Sequence, residues 1–150
     1  MGATAAIGMM VGGTALSAYS NMRAGREQKK MFERNAGFAE WQAADATTRG
    51  EVNEKRQRQA TEGVIGAQRV SLATQGVDVN AGSSLDVQAD AAYLGELDAL
   101  TIRSNAAKEA YGFKVQAQDY RQRGKYAKQE GDMNAVQSII GGGSSLLLAK

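Results

Sequence analysis

Along most of the chain the regularly spaced inward positions are small rather than bulky, and they recur alternately four and three residues apart. From Phe32 the series runs through Ala36, Ala39, Ala43, Ala46, Gly50, Asn53, Gln57, Ala60, Val64, Ala67 and Ser71 to Thr74. A second series starts at Leu85 and continues through Ala89, Ala92, Glu96, Ala99, Arg103, Ala106, Ala110, Phe113, Ala117, Tyr120 and Gly124 to Ala127. A repeat of about 3.5 residues is the signature of helices that wind together, and small residues on it let two axes approach closely. Between the two series, residues 75–83 concentrate Gly76, Asp78, Asn80 and Gly82, the residues that end helices and make turns. Gly76 suits the left-handed position that closes a helix, and Ser83 followed by Asp86 has the spacing of an N-cap with a carboxylate near the positive helix end. The pattern predicts an all-α fold: a long antiparallel helical hairpin, coiled-coil-like with a small-residue seam, assembled as an oligomeric ring or tube. Its parts are an apolar glycine-rich head over 1–18, helix A over 19–74, a turn over 75–83, helix B over 84–140 and an apolar tail over 141–150.

Composition supports long helices that bury their surface against other chains. Of the 150 residues none is proline, while Phe and Trp number three and one, too few to fill a globular interior of this size at native packing density. A further stripe on the second helix, Tyr93, Leu97, Leu100, Ala107 and Tyr111, lies beside the seam and is expected to serve as an oligomer surface. A wider contact within the hairpin is an equally supported role for it.

Cysteine and histidine are both absent, which excludes disulfides, thiolate and imidazole metal sites and imidazole acid–base catalysis. No phosphate-cradling glycine loop is present, since Gly124-Lys125 lacks a partner glycine at the required offset. Asp78, Asn80 and Gly82 resemble the start of a calcium loop, but the glycine falls one place late and Ala89 stands where the bidentate acid belongs. Asp86 and Asp90 share a helix face without a partner for metal binding or proton transfer, so they are assigned to the helix dipole. No enzyme activity, catalytic residue, metal site or cofactor is expected.

The ends carry a different signal. The head contains Ile7, Met9, Met10, Val11 and Leu16, the tail region Ile139, Ile140, Leu146, Leu147 and Leu148, and a hairpin brings the two together as expected membrane contacts. The head does not read as a secretory signal, because its first basic residue, Arg23, follows the apolar stretch instead of preceding it. Met1-Gly2 invites myristoylation, yet Ala6 occupies the place of the required hydroxyl residue. Behind the ends stands a basic collar of Arg23, Arg26, Lys29, Lys30, Arg34, Arg121, Arg123, Lys125 and Lys128, whereas the turn end carries Asp78, Asp86, Asp90, Glu96 and Asp98. An apolar tip backed by basic groups is attracted to an anionic membrane, each such group contributing about 1 kcal/mol. Contact with DNA phosphates without sequence specificity, or a plain solvated face, would use the same charges. Neither apolar end is long enough to span a bilayer alone, since a spanning helix needs about 20 apolar residues. Gly8 and Gly12 form a small-x-x-x-small pair that would permit several copies to pack in lipid, and a head that merely packs against protein is equally consistent.

Three runs resemble the internal virion (ejection) proteins of short-tailed phages. They are Gly66-Ala67-Gln68-Arg69-Val70-Ser71-Leu72-Ala73-Thr74-Gln75-Gly76-Val77, then Gly82-Ser83-Ser84-Leu85-Asp86-Val87, and Asp98-Ala99-Leu100-Thr101-Ile102-Arg103-Ser104-Asn105-Ala106-Ala107-Lys108-Glu109-Ala110-Tyr111-Gly112-Phe113. The likeness is good from about Gly66 to Gly124, weaker over Asn21 to Gly63, and compositional at the ends. It implies the smallest of the ejection proteins, carried in the virion interior or tail and released ahead of the genome. In the host outer membrane such a protein forms part of a channel for DNA. The implied partners are further copies of the chain, other ejection, portal or tail proteins, outer-membrane lipid and the passing DNA. The short apolar ends depart from what a self-sufficient pore needs and imply help from larger partner proteins.

Overall fold

In a computed structural model, which describes the backbone of residues 2–147 and the side chains of residues 13–141, the chain forms two long helices packed against each other as a hairpin. They are α1, Gly2–Thr74, and α2, Ser83–Leu147. Helix α1 begins at Gly2, so the expected change at residues 18 and 19 is not a helix boundary, and α2 continues past residue 140 into the tail. The glycines there do not interrupt helical hydrogen bonding, because a helical glycine costs only about 1 kcal/mol relative to alanine.

The chain divides into two compact units, one of Met1–Ala39 with Val115–Lys150 and one of Glu40–Lys114. In the first, Ala36, Ala39 and Ala117 form a buried cluster against which Tyr120 packs, and the Phe32 and Tyr120 rings stack at 6.4 Å. In the second, Ala43, Ala46 and Ala110 form the corresponding cluster with Phe113 against it. Every buried apolar side chain among the described residues is an alanine. The helices consequently approach until some positions admit only glycine. In the first unit Gly25 and Gly131 face each other, and a Cβ on Gly131 would stand 2.8 Å from the Asn21 carbonyl oxygen and 2.9 Å from Gly25 Cα. In the second, a Cβ on Gly50 would collide with that of Ala106, and one on Gly95 with the Thr61 side chain.

The expected seam holds from Phe32 to Gly50 and from Ala106 to Ala127. Between those limits it slips by one residue except at Gln57 and Ala99, which stay on the expected series. Helix α1 turns Glu54, Gln57, Thr61, Ile65, Gln68 and Leu72 inward, while Asn53, Ala60, Val64, Ala67, Ser71 and Thr74 are exposed. On α2 the inward residues are Ser84, Gln88, Ala91, Gly95, Ala99 and Ile102, in place of Leu85, Ala89, Ala92, Glu96 and Arg103. The cause is helical geometry: a helix of 3.6 residues per turn drifts by about 20° per heptad from a strict 3.5 repeat. The drift is absorbed by consecutive four-residue steps, Ala46 to Gly50 to Glu54 and Gln57 to Thr61 to Ile65 on α1. Locally the seam follows an eleven-residue period.

The break is a turn with both ends capped. Val77 N donates to Leu72 O at 3.1 Å and Gly76 N to Ala73 O at 3.0 Å, with Gly76 at φ 75°, which is a Schellman closure. Asn80 N donates to Asp78 Oδ1 at 2.9 Å, and Arg69 reaches across to Asn80 Oδ1 at 3.1 Å. The expected N-cap at Ser83 is displaced by one residue. It is the Gly82 carbonyl, with Gly82 at φ 61°, that accepts from Leu85 N at 3.1 Å and Asp86 N at 3.4 Å. Ser83 is exposed and opens the helix, while the buried Ser84 hydroxyl donates to the Ala81 carbonyl at 2.7 Å and the buried Gln88 amide to Val79 O at 2.8 Å.

Glycine therefore has two opposite roles in these helices. Gly50→Ala and Gly95→Ala are expected to lower stability by roughly 1–3 kcal/mol through overpacking, and adding Ala106→Gly to Gly50→Ala should recover most of that loss. Gly37→Ala, Gly63→Ala and Gly112→Ala, where a methyl meets nothing within 4 Å, should each raise stability by about 0.5–1 kcal/mol. Urea unfolding followed by circular dichroism measures both; equal responses in the two groups would refute the close approach.

Candidate functional site

Alanine methyls fill the buried apolar positions of the seam, with a few larger side chains such as Phe32, Phe113 and Tyr120 half-buried beside them, and most of the large apolar side chains are left outside. Leu16, Tyr19, Met31, Phe38, Trp41, Val52, Tyr93, Leu97, Leu100, Tyr111, Tyr126, Met133, Val136, Ile139 and Ile140 are all exposed. The outer surface of the hairpin is where its bulky hydrophobic groups lie, the reverse of an ordinary domain.

In the unit that holds both chain ends, Asn21 Nδ2 donates to Ser138 Oγ at 3.1 Å, and Ala18 and Ala135 are buried. Of the expected membrane contacts, Leu16, Ile139 and Ile140 are exposed by 69%, 56% and 66%, so the apolar surface near these ends faces outward. The side chains of Ile7, Met9, Met10, Val11, Leu146, Leu147 and Leu148 lie outside the described residues. Met133, Val136 and Ile140 line an open apolar hollow along α2 with Gln137 and Gly141. Among the described residues, no helix is long and apolar enough to cross a membrane.

The collar is less uniformly basic than its residues taken alone imply. Lys29 pairs with Glu33 at 3.2 Å, Lys30 with Glu27 at 3.0 Å and Arg123 with Asp119 at 2.9 Å. Arg23, Arg26, Arg34, Lys125 and Lys128 are exposed. The hydrogen bond and charge of Lys30 hold the Glu27 carboxyl below its ordinary value, with Arg23 and Arg34 adding to the effect. A hollow of about 340 Å³ beside α1 is lined by Tyr19, Met22, Arg23, Arg26, Glu27 and Lys30. It joins cationic donors to an aromatic ring, a combination that suits an anionic headgroup or a phosphate.

The unit Glu40–Lys114 contains an ion network that the seam pattern did not disclose. Glu54, only 7% exposed, stands at a slipped seam position that would otherwise take a small residue. Arg58 reaches it at 3.0 Å and also holds Glu96 on α2 by two bonds of 3.0 and 2.8 Å, with Arg103 4.0 Å from Glu54. Arg49 similarly joins Asp45 at 2.7 Å to Glu109 of α2 at 3.0 Å. A planar guanidinium serving carboxylates on both helices fixes their register. The sequence signal for this was the 4-residue spacing of Glu54 and Arg58, which reads equally as an ordinary surface pair. Of the expected turn-end acids, Glu96 belongs to this network, while Asp86 and Asp90 are exposed on the first turns of α2.

Tyr93, Leu97, Leu100 and Tyr111 are exposed by 65%, 42%, 45% and 69%, and Ala107 is exposed with them. Among the described residues no group of three or more acidic side chains is placed to hold a metal ion. No family model, curated protein or solved structure matches the chain.

The bond from Arg58 lowers the Glu96 carboxyl below its ordinary value of 4.5. A depressed carboxyl contributes stability that is fully present above the unfolded-state value and is lost as the pH falls through the folded one. Stability measured by urea unfolding should therefore fall as the pH drops below about 4.5, and Glu96→Gln should make that fall shallower. An unchanged acid slope in the variant would remove the Arg58–Glu96 bond from the forces joining the helices.

Proposed function

We propose that the chain is a subunit of a helical assembly that acts at a membrane, a phage ejection protein that oligomerises to form part of a conduit across the host outer membrane for genome delivery. The observation that carries this reading is the placement of apolar side chains: among the described residues every buried one is alanine, while most of the Leu, Ile, Met, Tyr and Trp side chains are exposed. A surface of that kind needs lipid or protein to cover it. At the end of the hairpin that holds both termini, Leu16, Ile139 and Ile140 lie beyond the cationic Arg23, Arg26 and Lys128, the order in which a bilayer interior and its anionic headgroups would be met. The likeness of residues 66–124 to ejection proteins of short-tailed phages supplies the biological setting. No enzymatic role is included, and the virion before ejection and the outer membrane after it are the proposed locations.

Each apolar end is shorter than the roughly 20 apolar residues of a spanning helix, so in this reading several copies, or larger partner proteins, complete the passage. The exposed stripe of Tyr93, Leu97, Leu100 and Tyr111 supports a second reading, a purely structural virion component packed against portal or tail proteins. A helical module that holds DNA through the collar is a third, and it requires binding that weakens steeply with salt and with neutralisation of Arg121, Arg123 and Lys125.

The full chain is expected to release dye from vesicles containing anionic lipid, and deletion of residues 1–18 should abolish the release. Undiminished leakage after that deletion would refute a membrane role for the head. An oligomer that forms without detergent and does not bind vesicles would favour the structural reading.

A further inference from the structure

Carried one position beyond each end, the outward stripe of α2 reads Asp90, Tyr93, Leu97, Leu100, Ser104, Ala107, Tyr111 and Lys114, every step three or four residues in strict alternation. All eight are exposed, and all lie within the unit Glu40–Lys114. The inward face of the same stretch keeps the eleven-residue period described above, so the two faces of one helix follow different repeats. A strict 3.5 period is what a second helix wound against the outside requires.

The stripe is also complementary to itself when reversed. Turned end for end against a copy, Tyr93 meets Tyr111, Leu97 meets Ala107 and Leu100 meets Ser104. The four central layers, two on each side of the axis, thus set a leucine against a small residue, and the Tyr93–Tyr111 layers flank them with ring against ring. The outermost layers set Asp90 against Lys114, once at each end. A parallel pairing in register instead stacks leucine on leucine and serine on serine, and places Asp90 beside Asp90 and Lys114 beside Lys114. Arg103, which flanks the centre, has the Glu54 carboxylate of its own hairpin 4.0 Å away.

We infer that this face is a two-fold interface between two copies of the chain, α2 lying antiparallel to α2 of the second copy about an axis between Leu100 and Ser104. Such an interface is isologous and closes on itself. The inference rests on the reading of the chain as an assembly subunit and is independent of its action on membranes.

Because the chain lacks cysteine, single introduced thiols report directly on proximity. Full-length Leu100→Cys chains mixed with full-length Ser104→Cys chains and oxidised should give the mixed disulfide in excess over both homodisulfides. In sedimentation velocity the unmodified chain should show a dimer that dissociates on dilution. Lys114→Glu, which sets two carboxylates together at each end, should weaken association by about tenfold, and the reciprocal pair Asp90→Lys with Lys114→Asp should restore it. Circular dichroism of each variant should be unchanged, since both positions are exposed. Predominant homodisulfides, a monomer at every concentration, or failure of the reciprocal pair to restore association would each overturn the interface, as would coverage of Tyr93 and Tyr111 only when lipid is added. Vesicle leakage by the Lys114→Glu chain is expected to be unaffected. An unmodified chain that stays monomeric yet releases dye removes this interface alone, and an unmodified chain that dimerises without releasing dye removes only the membrane reading.

Discussion

Everything in this molecule follows from how closely its two helices approach. Alanine and glycine at the seam bring backbones near enough that Gly25 and Gly131 stand one against the other, and that contact distance has two results. It makes the hairpin depend on a long series of small contacts instead of a few large buried side chains. It also leaves most of the bulky apolar residues facing outward, Trp41, Phe38 and Leu97 among them, with only a few such as Phe32, Ile65 and Tyr120 half-buried at the seam. In a globular domain the hydrophobic effect closes the chain upon itself. Here much of the corresponding surface remains on the outside, available to lipid or to other chains.

Weak, repetitive packing leaves the question of what fixes one alignment of the helices over its neighbours. Alanine layers are nearly interchangeable, so polar features must supply the distinction. Arg58, bonded to Glu54 on its own helix and to Glu96 on the other, and Arg49, bonded to Asp45 and Glu109, act as pins whose carboxylate partners occur at single places. Burying Glu54 is unfavourable unless its oxygens are bonded, which makes a slipped arrangement costly even where the methyl groups would still fit. The Schellman closure at Gly76 and the Ser84 and Gln88 side-chain bonds to the turn carbonyls set the starting point from which that alignment is counted.

The two-helix architecture was legible in the sequence because its signals are local: absence of proline, a sustained small-residue repeat, and Gly76, Asn80 and Gly82 gathered between two helix-forming stretches. The seam was legible where the repeat stays heptad, from Phe32 to Gly50 and from Ala106 to Ala127. Elsewhere a strict 3.5 count selected Val64 over Ile65 and Leu85 over Ser84, since nothing local marks the point at which accumulated drift is corrected. The N-cap was misplaced for a related reason. Ser83 has the expected side chain, but a glycine at positive φ one residue earlier already presents the carbonyl that starts the helix. Of the candidate surfaces, the exposed faces near the ends and along α2 were legible as stripes, whereas the pairing of Lys29, Lys30 and Arg123 within the collar depended on side-chain positions that spacing alone does not settle.

The alternation of seven- and eleven-residue periods along one seam makes it work like a vernier scale. Two rulers with a single common spacing coincide at every graduation, but rulers whose spacing changes partway coincide at only one. A hairpin displaced by one heptad would still match where the repeat is seven, but in the stretch of eleven-residue period beside the turn it would set the Gly95 notch against a residue other than Thr61. Length alone multiplies the ways a repetitive coil can mispair, and it is the change of spacing that leaves a single correct match.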